Sequence, residues 1–207
     1  PKKLWSPTQQ TVKNSLLSQF TNAVNGEGTG QFLDYDALHQ WSIENPADFW
    51  SAYWDFAELQ ASHKGAIAVE DLDQFPGARW FPEAKLNYAE NLLTTRSSKT
   101  AFVSILENGE RRSISYEQLY SETGNVQSLL KSHVSMGDRV AGWLPNTIET
   151  AVAMLATSSL GGVWSSRSPD FGIEGALDRF GQIEPKVLFA CDGYFYAGKR
   201  IDRMPLV

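Results

Sequence analysis

The stretch that decides the fold is "RVAGWLPNTIETAVAMLATSSLGGVWSS", residues 139–166. Two short apolar runs, "RVAGWL" (139–144) and "GVWSS" (162–166), flank a segment whose apolar residues recur at helical spacing, 147–160. A strand followed by a helix and a second strand is the pattern of a crossover unit. Such a crossover requires the two strands to run parallel, and it is nearly always right-handed.

The same rhythm continues beyond residue 166. A second helix-like segment, "IEGALDRFGQI" (173–183), leads to a third apolar run, "KVLFAC" (186–191). The three runs begin about 23 to 24 residues apart. The sequence therefore predicts an α/β fold with a three-stranded, parallel βαβαβ unit of Rossmann-like type.

The loops after these strands form the first candidate site. In open parallel sheets, ligands bind in the crevice beyond the carboxyl ends of the strands. The predicted loops at that edge are 145–147, 165–172 and 192–200. Their side chains suited to a phosphate or a carboxylate are Arg167, Asp170, Lys199 and Arg200. The alternative, that these are solvated loop charges and helix caps, stays open.

A β-hairpin is predicted immediately before the parallel unit. The run "AFVSIL" (101–106) and its partner "RRSIS" (111–115) flank Asn108-Gly109, a strong signal for a tight turn. Ser115 and Gln118 have the spacing of a capping box, which predicts a helix from there to about His133.

The N-terminal half is predicted to be helical and rich in aromatic residues. In "WSIENPADFWSAYWDF" (41–56), Asn45 is placed to cap a helix that begins at Pro46. Phe49, Trp50, Tyr53 and Trp54 fall on one side of that helix. The stretch contains no Lys or Arg, so we interpret this face as core packing rather than a ligand-stacking platform.

The chain's beginning and its internal boundary are less patterned. Residues 1–35 are polar, and we interpret them as loop because Gly26, Gly28 and Gly30 alternate with small or charged residues. The polar run 94–100 predicts a boundary between an N-terminal extension, 1–95, and an α/β domain, 96–207.

Composition restricts the function classes. A net charge of −6 argues against broad nucleic-acid binding, and no apolar run resembles a signal peptide or a membrane span. Cys191 is the only cysteine, which excludes an internal disulfide and a cysteine-based zinc site. The three histidines lack ligand spacing, so no metal site is predicted. We expect a soluble protein of the cytoplasm, with Cys191 in the core rather than acting as a nucleophile.

Several segments together resemble the N-terminal part of the acetoacetyl-CoA synthetases, a family of the adenylate-forming acyl-CoA synthetase superfamily. They are 41–56, "RWFPEAKLNYAENLL" (79–93), 137–166, "SPDFG" (168–172) and "DRFGQIEPKVLFACDGYFYAGK" (178–199). The similarity runs from about Leu4 to about Asp202. It implies that 1–95 is the family's helical N-terminal extension and that 96–207 is the start of its AMP-binding domain, incomplete here.

The resemblance also implies an activity for the whole protein. Such an enzyme activates acetoacetate with ATP and Mg to an acyl-adenylate, and CoA then displaces AMP. The family's phosphate loop and catalytic lysine have no match in this sequence, so we expect the 207 residues alone to be inactive, with the remainder of the same polypeptide as their partner.

One local element carries over from related acetyl-CoA synthetases. A segment that contacts CoA in those relatives aligns with Tyr196, Ala197, Gly198 and Lys199, and only Lys199 keeps a charge. Arg167 stands where relatives usually carry a small residue, and no role is assigned to it.

A different class of function remains an alternative: a self-contained binding or interaction module with no catalysis. A chain that is part of a longer protein should end with its next element unformed, and we expect "KRIDRMPLV" (199–207) to be such an end. A stop codon soon after Val207 would favour the module, whereas several hundred further residues would favour the synthetase.

Overall fold

A computed structural model describes residues 3–26, 28 and 30–206. The chain folds as two compact units, Pro1–Leu86 and Asn87–Val207. Within the described residues, no helix is both long enough and apolar enough to span a membrane.

The first unit is mainly helical. Its helices are α1 (Gln9–Lys13), α2 (Leu16–Gly26), α3 (Tyr35–Glu44) and α4 (Pro46–Phe56). Two short strands, β1 (Val69–Glu70) and β2 (Arg79–Trp80), pair antiparallel.

The prediction that residues 1–35 form a loop was wrong for the 16 residues of α1 and α2. Phe20 and Val24 lie one helical turn apart in α2, and both are buried against Leu38 and Trp41 of α3. The apolar face of α2 therefore outweighs the polar composition of the segment. Gly26 ends this helix, and Gly28 follows it with a φ of 75°.

The aromatic helix α4 begins at Pro46 as predicted, but its packed face differs from the predicted one. Trp54 is buried, with its ring centroid 4.6 Å from that of Phe81. Trp50 and Tyr53 each remain 42% exposed. Asn45 occupies the N-cap position, yet its side chain makes no capping hydrogen bond. Trp54 is thus the buried residue of the helix, Phe49 is half-buried against α2 and α3, and Trp50 and Tyr53 are not buried as the sequence predicted.

The second unit opens with a short helix and the predicted hairpin. Its first elements are α5 (Tyr88–Leu92), β3 (Thr100–Ile105), β4 (Arg111–Ser115) and α6 (Tyr116–Leu130). Strands β3 and β4 pair antiparallel. The capping box is confirmed, because Ser115 Oγ accepts from the Gln118 N–H at 3.2 Å and Gln118 Oε1 accepts from the Ser115 N–H at 3.0 Å. The helix ends at Leu130, three residues before the predicted end.

The parallel unit is confirmed. Its elements are β5 (Arg139–Trp143), α7 (Ile148–Ser159), β6 (Val163–Arg167), α8 (Ile173–Ile183) and β7 (Val187–Ala190). The strand order is β6-β5-β7 with both pairings parallel, so the first strand lies in the middle. Val140 and Ala141 of β5 are fully buried. A Cβ on Gly142 would lie 2.6 Å from the Trp164 ring, so the close packing of that ring requires glycine in β5.

The prediction that residues 199–207 form no regular element was wrong, because two further strands follow β7. Strands β8 (Gly193–Tyr196) and β9 (Lys199–Asp202) form an antiparallel hairpin, and a 3-10 turn covers Met204–Leu206. The predicted loop 192–200 is therefore mostly hairpin. Aromatic residues at 194–196 and a two-residue turn with positive φ favour this pairing.

Candidate functional site

A cleft of about 540 Å³ opens at the carboxyl ends of β5 and β7. The residues after β5 that line it are Leu144, Pro145 and Thr147, and those after β7 include Cys191 and Tyr194. The β3–β4 hairpin contributes Arg112 from the other side. The cleft thus lies at the edge where an open parallel sheet binds its ligands.

A bidentate ion pair forms part of the cleft lining. The guanidinium of Arg112 donates to both carboxylate oxygens of Glu149, at 2.6 and 2.9 Å. The hydrogen bonding to Arg112 is the main cause that lowers the pKa of Glu149 to about 2, against the opposing effect of partial burial. The Glu149 backbone N–H and the Thr147 side chain make smaller contributions in the lowering direction. The pair joins β4 to the first turn of α7 and so fixes the hairpin beside the sheet edge.

Cys191 lies at the cleft but is not arranged as a nucleophile. Its side chain is half-buried directly after β7. Burial raises the pKa of the Cys191 thiol, and the nearby Asp192 carboxylate acts in the same direction. A thiol held protonated is a poor nucleophile.

The loop after β6 binds mainly to itself and to α8. The Arg167 guanidinium donates to the Gly175 carbonyl of α8 and lies 4.2 Å from the centre of the Phe171 ring. Asp170 accepts a hydrogen bond from Ser168 Oγ at 2.8 Å. Arg167 therefore has a packing role in this structure, and the structure does not bring it to Lys199.

The four residues predicted to contact CoA form the turn between β8 and β9. Tyr196 and Lys199 are paired across the hairpin, and Ala197 and Gly198 between them have φ of 50° and 73°. All four are exposed. They lie beside the cleft lining rather than in it, because the neighbouring Phe195 and Arg200 are the hairpin residues that line it.

The charges around this turn are mixed. The Gly198 N–H donates to Glu107 Oε2 at 3.4 Å. Within residues 3–26, 28 and 30–206, Lys199 and Arg200 have no carboxylate within salt-bridge distance. Two cations are therefore available to an anion, with the Glu107 carboxylate beside them.

Sequence reasoning missed Arg203. Its side chain is only 7% exposed, and its guanidinium lies 4.3 Å from the centre of the Trp143 ring and donates to the Phe171 carbonyl at 3.1 Å. It thereby links the hairpin, the loop after β6 and the end of β5. Arginine is usually a surface residue, so no sequence pattern pointed to this burial.

Comparison with known proteins matches the whole chain. The sequence pattern of the family described as "AMP-binding enzyme" matches residues 89–204, and that of "Acetyl-coenzyme A synthetase N-terminus" matches residues 35–92. The acetoacetyl-coenzyme A synthetase of Rhizobium meliloti (strain 1021) is 42% identical over 200 residues, which cover 96% of this chain and 31% of that protein. The acetoacetyl-CoA synthetase of Gallus gallus is 36% identical over 95% of this chain and 30% of its own length.

A solved structure agrees with these sequence relatives. The acetoacetyl-CoA synthetase of Streptomyces lividans matches with a TM-score of 0.88 at 38% identity, covering 100% of this chain and 32% of that one. The chain thus spans about 31% of the length of the relatives it matches.

Proposed function

Since the chain belongs to the AMP-binding enzyme family, we propose that it is the N-terminal part of an acetoacetate-CoA ligase. The whole protein would join acetoacetate to CoA at the expense of ATP. The observation that carries this proposal is the agreement of sequence and structure over the entire chain with acetoacetyl-CoA synthetases. We propose the cytoplasm as its compartment, on the basis of the single cysteine.

The proposed reaction has two halves. A carboxylate oxygen of acetoacetate attacks the α-phosphate of ATP and releases pyrophosphate, and the CoA thiolate then attacks the acyl carbon and releases AMP. Charge on the transferred phosphoryl group is stabilised by cations and N–H donors in such chemistry, with Mg as the usual metal. We propose that these donors belong to the remainder of the polypeptide, so that the 207 residues alone are inactive.

The part of the site that we assign to this chain is the turn Tyr196, Ala197, Gly198 and Lys199. A CoA phosphate needs an accessible cation without a strong internal partner, and the exposed Lys199 ammonium meets that requirement. The successive left-handed conformations of Ala197 and Gly198 hold the turn tight, which keeps Lys199 next to Tyr196. Glu107 opposes an anion here, so the contribution of Lys199 should be modest.

We also propose the domain division that the sequence predicts. Residues 1–95 would be the extension typical of acyl-CoA synthetases, and residues 96–207 would begin the AMP-binding domain. Catalysis would then require elements that lie outside both segments.

The proposal is tested on the full-length reading frame and on the 207-residue chain in parallel. Acid-dependent exchange of pyrophosphate into ATP reports the first half-reaction, and CoA-dependent release of AMP reports the second. Acetate, acetoacetate and butyrate are compared at equal concentration. We expect exchange and AMP release by the full-length protein with acetoacetate preferred, and neither activity from the 207-residue chain above a heat-denatured control.

Two results would contradict the proposal in different ways. Acetoacetate-dependent exchange by the 207-residue chain would place the catalytic donors within it. A full-length protein that exchanges pyrophosphate with none of the three acids would remove the ligase assignment.

A further inference from the structure

Arg203 is a buried cation whose contacts among the described residues are with neutral groups. Its guanidinium lies over the Trp143 ring at 4.3 Å and near the Tyr194 ring at 6.0 Å, and it donates one hydrogen bond to the Phe171 carbonyl. The Arg203 backbone N–H donates to the Asp192 carbonyl at 2.8 Å, which anchors the residue after β9.

No counter-ion accompanies this charge in the part of the chain that the structure describes. The ion pairs among those residues do not include Arg203. Arginine cannot lose its proton in a protein, so burial cannot be relieved by neutralisation. Contact with an aromatic ring offsets part of the desolvation cost, but a buried charge is normally paired as well.

The hydrogen-bonding capacity of the group is also incomplete. The Nε of Arg203 and the indole Nε1 of Trp143 are both sealed from solvent without an acceptor among the described residues. Nη1 also has no acceptor among the described residues, and it is not one of the atoms sealed from solvent. The cation therefore presents one open donor edge at the carboxyl end of the sheet.

We propose that Arg203, held against Trp143, is an anion-binding residue that takes a single oxyanion at its open Nη1 edge. The anion is either a phosphate of a small-molecule ligand or a carboxylate side chain from the remainder of the polypeptide. Both carry the oxygen acceptors that a guanidinium binds with charge-assisted hydrogen bonds. Arg203 is not one of the residues of the Tyr196–Lys199 turn, and the proposal does not depend on which acid the protein activates.

Asp170 is a carboxylate of this chain that competes with an external anion, because it acts on Tyr194, whose ring lies 6.0 Å from the Arg203 guanidinium. Asp170 is exposed and accepts a hydrogen bond from Ser168 Oγ. Burial raises the pKa of the Tyr194 hydroxyl, and Asp170 raises it further. The Asp170 oxygens nevertheless lie outside salt-bridge distance of Arg203. The test must therefore separate Asp170 from an anion in solution.

The first experiment uses the 207-residue chain labelled with ¹⁵N. The Arg203 Nε–H and Trp143 Nε1–H resonances are assigned with Arg203→Lys and Trp143→Phe, and the wild-type chain is titrated with inorganic phosphate and with acetate against chloride at constant ionic strength. We expect a saturable shift of the Arg203 resonance, half-complete at about 1 to 10 mM, the affinity that one or two charge-assisted hydrogen bonds support.

The second experiment measures thermal unfolding of the same chain. Phosphate should raise the Tm of the wild type and of Arg179→Met, a matched loss of one exposed arginine on α8, but not that of Arg203→Met. In chloride, Arg203→Met should be as stable as the wild type or more so, because it removes an unpaired buried charge.

A third experiment, which rests on the proposed function, uses the full-length protein to decide the source of the anion. If phosphate still raises the Tm there, the anion is a ligand. If phosphate has no effect and Arg203→Met now destabilises the protein, the anion is a carboxylate of the remaining polypeptide. Ligase activity plays no part in these readouts, so a failed activity assay leaves them interpretable.

The proposal is overturned if neither phosphate nor acetate shifts the Arg203 resonance or the Tm of the 207-residue chain. It is also overturned if Arg203→Met and Asp170→Asn each destabilise the chain in chloride and their effects are strongly coupled in a double-mutant cycle. Asp170 would then be the counter-ion of Arg203.

Discussion

The Arg112–Glu149 pair gives the sharpest prediction about stability, through the substitution Glu149→Gln. The two hydrogen bonds of 2.6 and 2.9 Å lower the pKa of Glu149 from 4.5 to about 2. Taken at face value, a shift of that size corresponds to roughly 3.4 kcal/mol. The side chains of Arg112 and Glu149 are 43% and 59% exposed, however, so solvent screening reduces the expected contribution to about 1 kcal/mol.

The direction of the pH dependence follows from the lowered pKa. Folding favours the ionised carboxylate, so the pair stabilises the protein fully above the unfolded pKa near 4.5, and this stabilisation is lost as the pH falls towards 2. Glu149→Gln cannot ionise. The difference in unfolding free energy between wild type and Glu149→Gln should therefore be about 1 kcal/mol at pH 7 and only a small part of that at pH 2.5.

Urea unfolding at pH 7, 4 and 2.5 measures this difference. Glu110→Gln is the matched control, because Glu110 contacts the same arginine at 3.7 Å without a bidentate geometry and is also half exposed. Its effect should be much smaller at every pH. Arg112→Met removes the ion pair but leaves Glu149 in the first turn of α7, so it separates the contribution of the pair from that of the helix dipole. A wild-type advantage over Glu149→Gln that is equal at pH 7 and pH 2.5 would refute the reasoning.

Three further substitutions test other parts of the structure. Trp54→Ala should cost about 3–5 kcal/mol in urea unfolding, whereas the half-exposed Trp50→Ala should cost clearly less, and equal losses would contradict the packing described for α4. Ala197→Gly should stabilise the chain by about 1 kcal/mol, because Ala197 has a φ of 50°, and an unchanged unfolding midpoint would count against strain in that turn. Lys199→Glu in the full-length protein should raise the KM for CoA about tenfold and leave pyrophosphate exchange intact. An unchanged CoA saturation curve, or an equal fall in exchange, would exclude Lys199 as a CoA ligand.

The sequence predicted those elements whose signal is local and periodic. The strands around Val140 and Val187, the turn at Gly109 and the capping box at Ser115 each follow from residues a few positions apart, and the structure has all of them. Helix α2 was missed because its buried face consists of little more than Phe20 and Val24 in a polar segment.

The site was less predictable than the fold. The sheet edge follows from strand direction, but the partners at that edge come together from distant positions. Arg112 and Glu149 are 37 residues apart, and Arg203 contacts Phe171 across 32. Spacing rules do not extend over such separations. The β8–β9 hairpin did carry a local signal, because the aromatic run 194–196 precedes Ala197-Gly198. The prediction of a loop over 192–200 did not use that signal.

The position of β5 in the middle of its sheet has a consequence for synthesis on the ribosome. The strand needs both neighbours for its backbone hydrogen bonds, and the second of these, β7, ends at Ala190, 47 residues after Trp143. At common elongation rates this interval lasts roughly 2 to 9 seconds. The same interval separates the emergence of the apolar β5 from that of β7, and the local β3–β4 hairpin and α6 can already form within it. Nascent chains from which Trp143 has left the exit tunnel and Ala190 has not should therefore be the ones that chaperones bind most strongly.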